Sequence, residues 1–141
     1  MTKSLAEIVM EIERESDTTK QVALLKQYSS KALKAVVGYA MDPGVKWLLP
    51  VGVPPYRPTT EGSDIEGQFH REAMKLIHFV DSPQGRSLKP MKREMLFLQL
   101  LESIDPADAK LLLRMKNKEL SGIQMEAVKT AWPGLTKNWI K

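Results

Sequence analysis

The chain has 141 residues, of which 43% are hydrophobic and 27% charged, the size and composition of one folded domain. It has no cysteine, which excludes disulfides, thiolate metal sites and thiol nucleophiles, and no apolar run approaches the roughly 20 residues of a membrane helix. The net charge of +4 is uneven, −1 over residues 1–70 and +5 over residues 71–141, and a basic half points to a polyanion such as nucleic acid.

Residues Met1 to Arg14 form an acidic amphipathic pattern rather than a signal peptide, so the expected location is intracellular, in the cytoplasm. Leu5, Ile8, Val9 and Ile12 fall on one helical stripe. Ser16 to Thr19 breaks it and supplies caps for a helix carrying Val22, Leu24 and Leu25. After Ser29-Ser30 comes a third stripe, Ala32, Leu33, Val36, Val37 and Tyr39, stopped by Asp42-Pro43-Gly44. Four prolines and three glycines then make residues 50–68 a long loop or an extended strap.

Helical spacing resumes with Phe69, Ala73, Leu76, Ile77 and Val80 and ends at Asp81 to Gly85. Pro90 suits the first turn of a helix with Met95, Leu96, Leu98, Leu100 and Leu101, running to Ser103. Met91 and Met95, at helical spacing, read as core. Asp105 caps a short helix with Asp108 in its first turn and Leu111 to Leu113 as its apolar residues. Ser121-Gly122 breaks again, and a last helix runs from Ile123 to Trp132, closed by Pro133-Gly134. No stretch alternates like a strand. The expectation is one all-α domain over residues 1–141, an irregular bundle of six to eight helices.

Catalytic constellations are missing from the sequence. There is no Gly-rich phosphate loop and no nucleophile elbow. His70 and His78, eight apart, lie two helical turns from each other, too far to share a metal. Glu61, Asp64 and Glu66 lack the spacing of a calcium loop. The expectation is no enzyme, no metal, no cofactor and no small-molecule substrate.

Two basic clusters remain. Arg86, Lys89, Lys92 and Arg93 surround a loop-to-helix junction, where unpaired N–H groups and the helix dipole favour phosphate. Arg114, Lys116 and Lys118 close the next helix, ahead of Ser121, Gly122 and Gln124. Gly122 would let a phosphate or sugar approach the backbone, and Lys129 would flank the same surface.

The segment Leu112 to Leu135, LLRMKNKELSGIQMEAVKTAWPGL, resembles the last two helices of the N-terminal DNA-binding domain of ATP-dependent DNA ligases, especially those of tailed phages. Shared features are Lys118-Glu119-Leu120, the following glycine, and a short helix ending in Trp-Pro-Gly-Leu. The order upstream is similar, with Leu33-Lys34-Ala35-Val36, Tyr39, Asp42-Pro43 and Trp47, and then Phe69 to Ile104. The resemblance implies an all-α domain of phage origin that grips double-stranded DNA through phosphates and the minor groove without reading sequence, in replication or repair. Its contacts would be Arg86, Lys89, Lys92, Arg93, Arg114, Lys116, Lys118, Ser121, Gly122, Gln124 and Lys129. The chain departs from the ligase pattern at Lys89-Pro90 and Gln124, and the Lys-x-Asp-Gly adenylation motif occurs nowhere in it. The alternative expectation is a protein-interaction module of the same fold, docking on a polymerase, clamp or host enzyme through Trp47, Leu48-Leu49 and Tyr56.

Overall fold

The structure is a computed structural model that describes residues 4–50, 52–57, 68–120 and 122–136. Among these are nine α-helical stretches, α1 (Leu5–Arg14), α2 (Thr18–Gln27), α3 (Lys31–Met41), α4 (Gln68–Glu72), α5 (Pro83–Arg86), α6 (Pro90–Ser103), α7 (Pro106–Lys116), α8 (Met125–Ala131) and α9 (Pro133–Thr136). A 3-10 helix, Ala73–Phe79, continues α4. The fold is an all-α bundle, and it holds more helical pieces than expected because α5 and α9 are single turns. No helix among the described residues is long and apolar enough to cross a membrane.

The starts of the helices are set by local chemistry. Ser4 and Glu7 form a reciprocal capping box on α1, with Glu7 N donating to Ser4 Oγ at 3.2 Å. Asp17, Ser30 and Asp105 cap α2, α3 and α7 by accepting from Lys20 N (3.1 Å), Leu33 N (3.0 Å) and Ala107 N (3.0 Å). Pro83, Pro90 and Pro106 each stand in a first turn, where no backbone donor is needed.

The apolar stripes of α1, α3 and α7 meet at the centre. Leu5, Val9, Ile12, Leu33, Val36, Val37, Leu112 and Met115 have no exposed surface. Phe69 and Leu76 close the core from the α4 side, and Phe79 meets Phe97 of α6 edge to face at 5.3 Å. α2 makes its most extensive contact with α8.

Three sequence expectations change. The stretch from Phe69 to Val80 is one α-helical turn followed by 3-10 geometry, because Val80 must leave in extended form to bridge Trp47. The last helix is shorter than Ile123 to Trp132: Gln124 is its N-cap, and Ile123 is buried ahead of it. Met91 and Met95 are not core. They stand 78% and 48% exposed, since α6 turns Arg93, Phe97, Leu100 and Leu101 inward instead.

Residues 52–57 have no regular structure and run as a strap over α6 and α7, so that part of the 50–68 expectation is an extended strap. Asn117 and Lys116 pin it: Lys116 Nζ donates to Pro50 O at 2.7 Å, and Gly52 N donates to Asn117 Oδ1 at 3.2 Å. Arg57 N donates to Glu102 Oε2 at 2.9 Å. Gly52 has φ +107°, the left-handed region where glycine is favoured. Glu61, Asp64 and Glu66 lie outside the described residues.

Candidate interaction surface

The first basic junction is built by a close approach. Ser82 caps α5, and Gly85 is pressed so tightly on the chain that a Cβ there would lie 2.0 Å from Val80 O. The carbonyls of Gly85 and Leu88 turn inward and accept from Arg93 Nη2 at 2.8 and 3.0 Å. Arg93 is 8% exposed, and its Nε has no partner. It is a buried brace for the α5–α6 turn, because carbonyls left without a donor inside the fold are costly. Arg86 is exposed and pairs with Asp81 at 2.5 Å. Lys89 and Lys92 are exposed and make no ion pair among the described residues.

The second cluster is engaged by acceptors within the fold. Arg114 donates to both Glu13 oxygens, at 3.0 and 2.6 Å, and Glu13 holds its pKa above the ordinary arginine value. Gly122 N donates to the same carboxylate at 3.2 Å, and a Cβ on Gly122 would meet the Glu13 side chain at 2.7 Å. Glu13 therefore stands on the amide and the guanidinium that the sequence offered to a phosphate. Lys116 is 6% exposed, and burial pushes its pKa down. Lys118 adopts φ +56° and donates to Tyr39 O (3.2 Å) and Asp42 O (3.1 Å), closing the carboxyl end of α3. Desolvation pushes its pKa down as well, against the opposing effect of Asp42.

Gln124 belongs to a joint between α2 and α8. Its N–H donates to Gln21 Oε1 at 2.9 Å, its Nε2 donates to Ser16 O at 2.9 Å, and its Oε1 accepts from Thr18. Gln21, with no exposed surface, donates from Nε2 to Ile12 O, Glu15 O and Gly122 O. Ser121 lies outside the described residues, and Lys129 is exposed on α8. The structure thus leaves Lys89, Lys92 and Lys129 facing outward, Lys118 exposed but bonded to carbonyls, and Arg86 tied to Asp81. Arg93, 8% exposed, is withdrawn from any outward basic face, whereas Lys118 is exposed while bonded to the carbonyls of Tyr39 and Asp42.

The anchors expected for a protein partner also turn inward. Trp47 Nε1 donates to Tyr39 O at 3.0 Å, and its ring packs edge to face on Tyr39. Leu49 and Tyr56 pack against the core. The exposed apolar surface lies elsewhere. Met91, Met95 and Leu98 share one face of α6 at i, i+4 and i+7. Beside them an apolar groove of about 330 Å³ opens between α6 and the strap, where Val53 is 70% exposed.

Periodicity alone carried a signal for two of these placements. Arg93 shares the face of Phe97, Leu100 and Leu101, and Lys116 shares the face of Asp108 and Leu112. Both faces are the interior ones in the fold, although the charge of the two residues points to an outward basic surface. Glu13 and Gln21, which organise the second cluster, had no local signal, because their partners lie about a hundred residues away in the chain.

No curated protein matches this chain. The profile of a family of unknown function, DUF6433, matches residues 8–122, from the middle of α1 to the glycine that abuts Glu13, and the chain belongs to that family.

Proposed function

We propose that the chain is a non-catalytic protein-interaction module that docks a partner on the outer face of α6 and the strap beside it. The placement of exposed apolar side chains carries this reading. Five large hydrophobic residues stand exposed among the described residues, and three of them, Met91, Met95 and Val53, belong to α6 and the strap. Scattered exposed apolar residues need no explanation, but a set gathered beside an apolar groove marks a binding surface. Methionine adapts to varied partner shapes. Lys92 and Lys89 flank the face, so the fitting partner is a protein segment with apolar anchors and acidic neighbours.

The test is selection of a random dodecapeptide display library on the whole chain, followed by titration against a Met91→Glu/Met95→Glu variant. Enriched peptides should combine apolar and acidic residues and bind the variant at least tenfold more weakly. Enriched peptides that bind both proteins equally, or no enrichment at all, would overturn the reading.

A second reading is binding of duplex DNA without sequence specificity, in phage replication or repair. It is favoured by Lys89 and Lys92, which stand unpaired at the amino end of the 14-residue α6, and by the ligase resemblance. Affinity for nicked or intact duplex should then fall steeply with salt, and Lys89→Glu/Lys92→Glu should weaken it. A chain that leaves duplex unbound at low salt ends this reading.

A further inference from the structure

We infer that the groove between α6 and the strap holds an extended apolar peptide segment, with a backbone carbonyl of that segment seated on the Lys116 ammonium. The inference rests on the proposed docking role and names the chemistry of its occupant.

The groove volume of about 330 Å³ lies within the range of ligand pockets. Val53, Pro54 and Pro55 form one wall, and Phe97 and Leu98 the other. Such walls favour an apolar side chain. Lys116 also lines the groove while remaining 94% buried as a residue, 6% being exposed. An ammonium has three donors. Two are taken, by Pro50 O and Asn117 Oδ1, each at 2.7 Å. The third has no acceptor among the described residues. A desolvated donor without an acceptor is unfavourable, and an occupant that supplies one is held by that deficit.

Glu94, on the same groove, is an acceptor with no donor among the described residues. The charges on the groove select the occupant. A free carboxylate would suit Lys116 but face the like charge of Glu94, and an amine would meet the reverse problem. A peptide backbone offers a carbonyl for Lys116 and an N–H for Glu94, both neutral. The strap is already pinned by Lys116, Asn117 and Glu102, so little ordering is required on binding.

The test adds acetyl-Leu-Val-Leu-amide to the methyl- and 15N-labelled full chain and follows it by NMR. The expected result is saturable shifts at the Val53 and Leu98 methyls and at the Lys116 ammonium, with Lys116→Met binding at least tenfold more weakly. The ammonium signal is read in the wild-type chain, so it stands even where Lys116→Met fails to fold. Shifts at the methyls without the ammonium, or equal binding by Lys116→Met, overturn the seat on Lys116. Tighter binding of octanoate than of the peptide overturns the backbone assignment. If the tripeptide leaves the groove unchanged while display-selected peptides still depend on Met91 and Met95, this inference fails and the docking role stands.

Discussion

Replacing Asp108 by asparagine should stabilise the protein at neutral pH and leave it unchanged in acid. Asp108 is 1% exposed, and its two oxygens differ: Oδ1 accepts from Ala6 N at 2.8 Å, while Oδ2 has no partner. Burial pushes its pKa from 3.8 up to about 6, against the opposing effects of the Ala6 hydrogen bond and His70; Asp105 and Glu7 push the same way as burial. The native state therefore binds a proton more tightly than the unfolded chain. Stability from this group is fully present below pH 3.8 and is lost as pH rises through about 6. The shift corresponds to at most about 3 kcal/mol at neutral pH. Asparagine keeps an oxygen for Ala6 and removes the charge, so Asp108→Asn recovers up to ~3 kcal/mol, reduced by any unmet amide donor. Asp108→Ala also strips the partner of Ala6 N–H and recovers less. The assay is urea unfolding of wild type and both variants at a series of pH values from 4 to 8, with stabilities compared pairwise so that the remaining carboxylates cancel. A His70→Gln background separates the nearby histidine. A wild-type minus Asp108→Asn difference that is flat across this range, or an asparagine variant less stable at pH 8, refutes the reasoning.

Three further outcomes follow from particular contacts. Gly85→Ala places a Cβ 2.0 Å from Val80 O and should lower stability by ~2–3 kcal/mol in thermal unfolding, with the largest amide shifts around α5. Gln21→Leu fits the volume but leaves Gln124 N and the carbonyls of Glu15 and Gly122 unpaired, while Ile12 O keeps the Glu15 N–H, so urea unfolding should show a loss of about 3 kcal/mol. Lys118→Ala removes one of the two donors to each of the carbonyls of Tyr39 and Asp42, whereas Lys118→Gly loses the same bonds but relaxes a backbone at φ +56°. The glycine variant should therefore melt as the more stable of the two, by ~1 kcal/mol.

The main helices were legible because their signals are local. The four stripe residues of α1, Leu5, Ile8, Val9 and Ile12, are all buried, and Asp17 and Asp105 cap as their positions imply. The surface was less legible. Charge counting treats every lysine and arginine as outward, but Arg93, Arg114, Lys116 and Lys118 each meet an acceptor brought from elsewhere in the chain or from the preceding turn. Met91 and Met95 show the converse. Apolar spacing identifies a face but cannot say whether the fold has anything to cover it, and here the core side of α6 is already filled by Phe97, Leu100 and Leu101.

The bonds that join the beginning of the chain to its end bear on how the protein is made. Ala6 meets Asp108, Glu13 meets Arg114 and Gly122, and Gln21 meets Gly122 and Gln124. During synthesis, α1 and α2 emerge before α7 and α8 and wait for them. At ~5–20 residues per second that delay is on the order of 5–20 seconds, during which Leu5, Val9 and Ile12 lack the α7 surface that completes their burial. A chain stalled before residue 108 lacks every one of these partners, so nascent chains of that length are where chaperone capture and aggregation should concentrate.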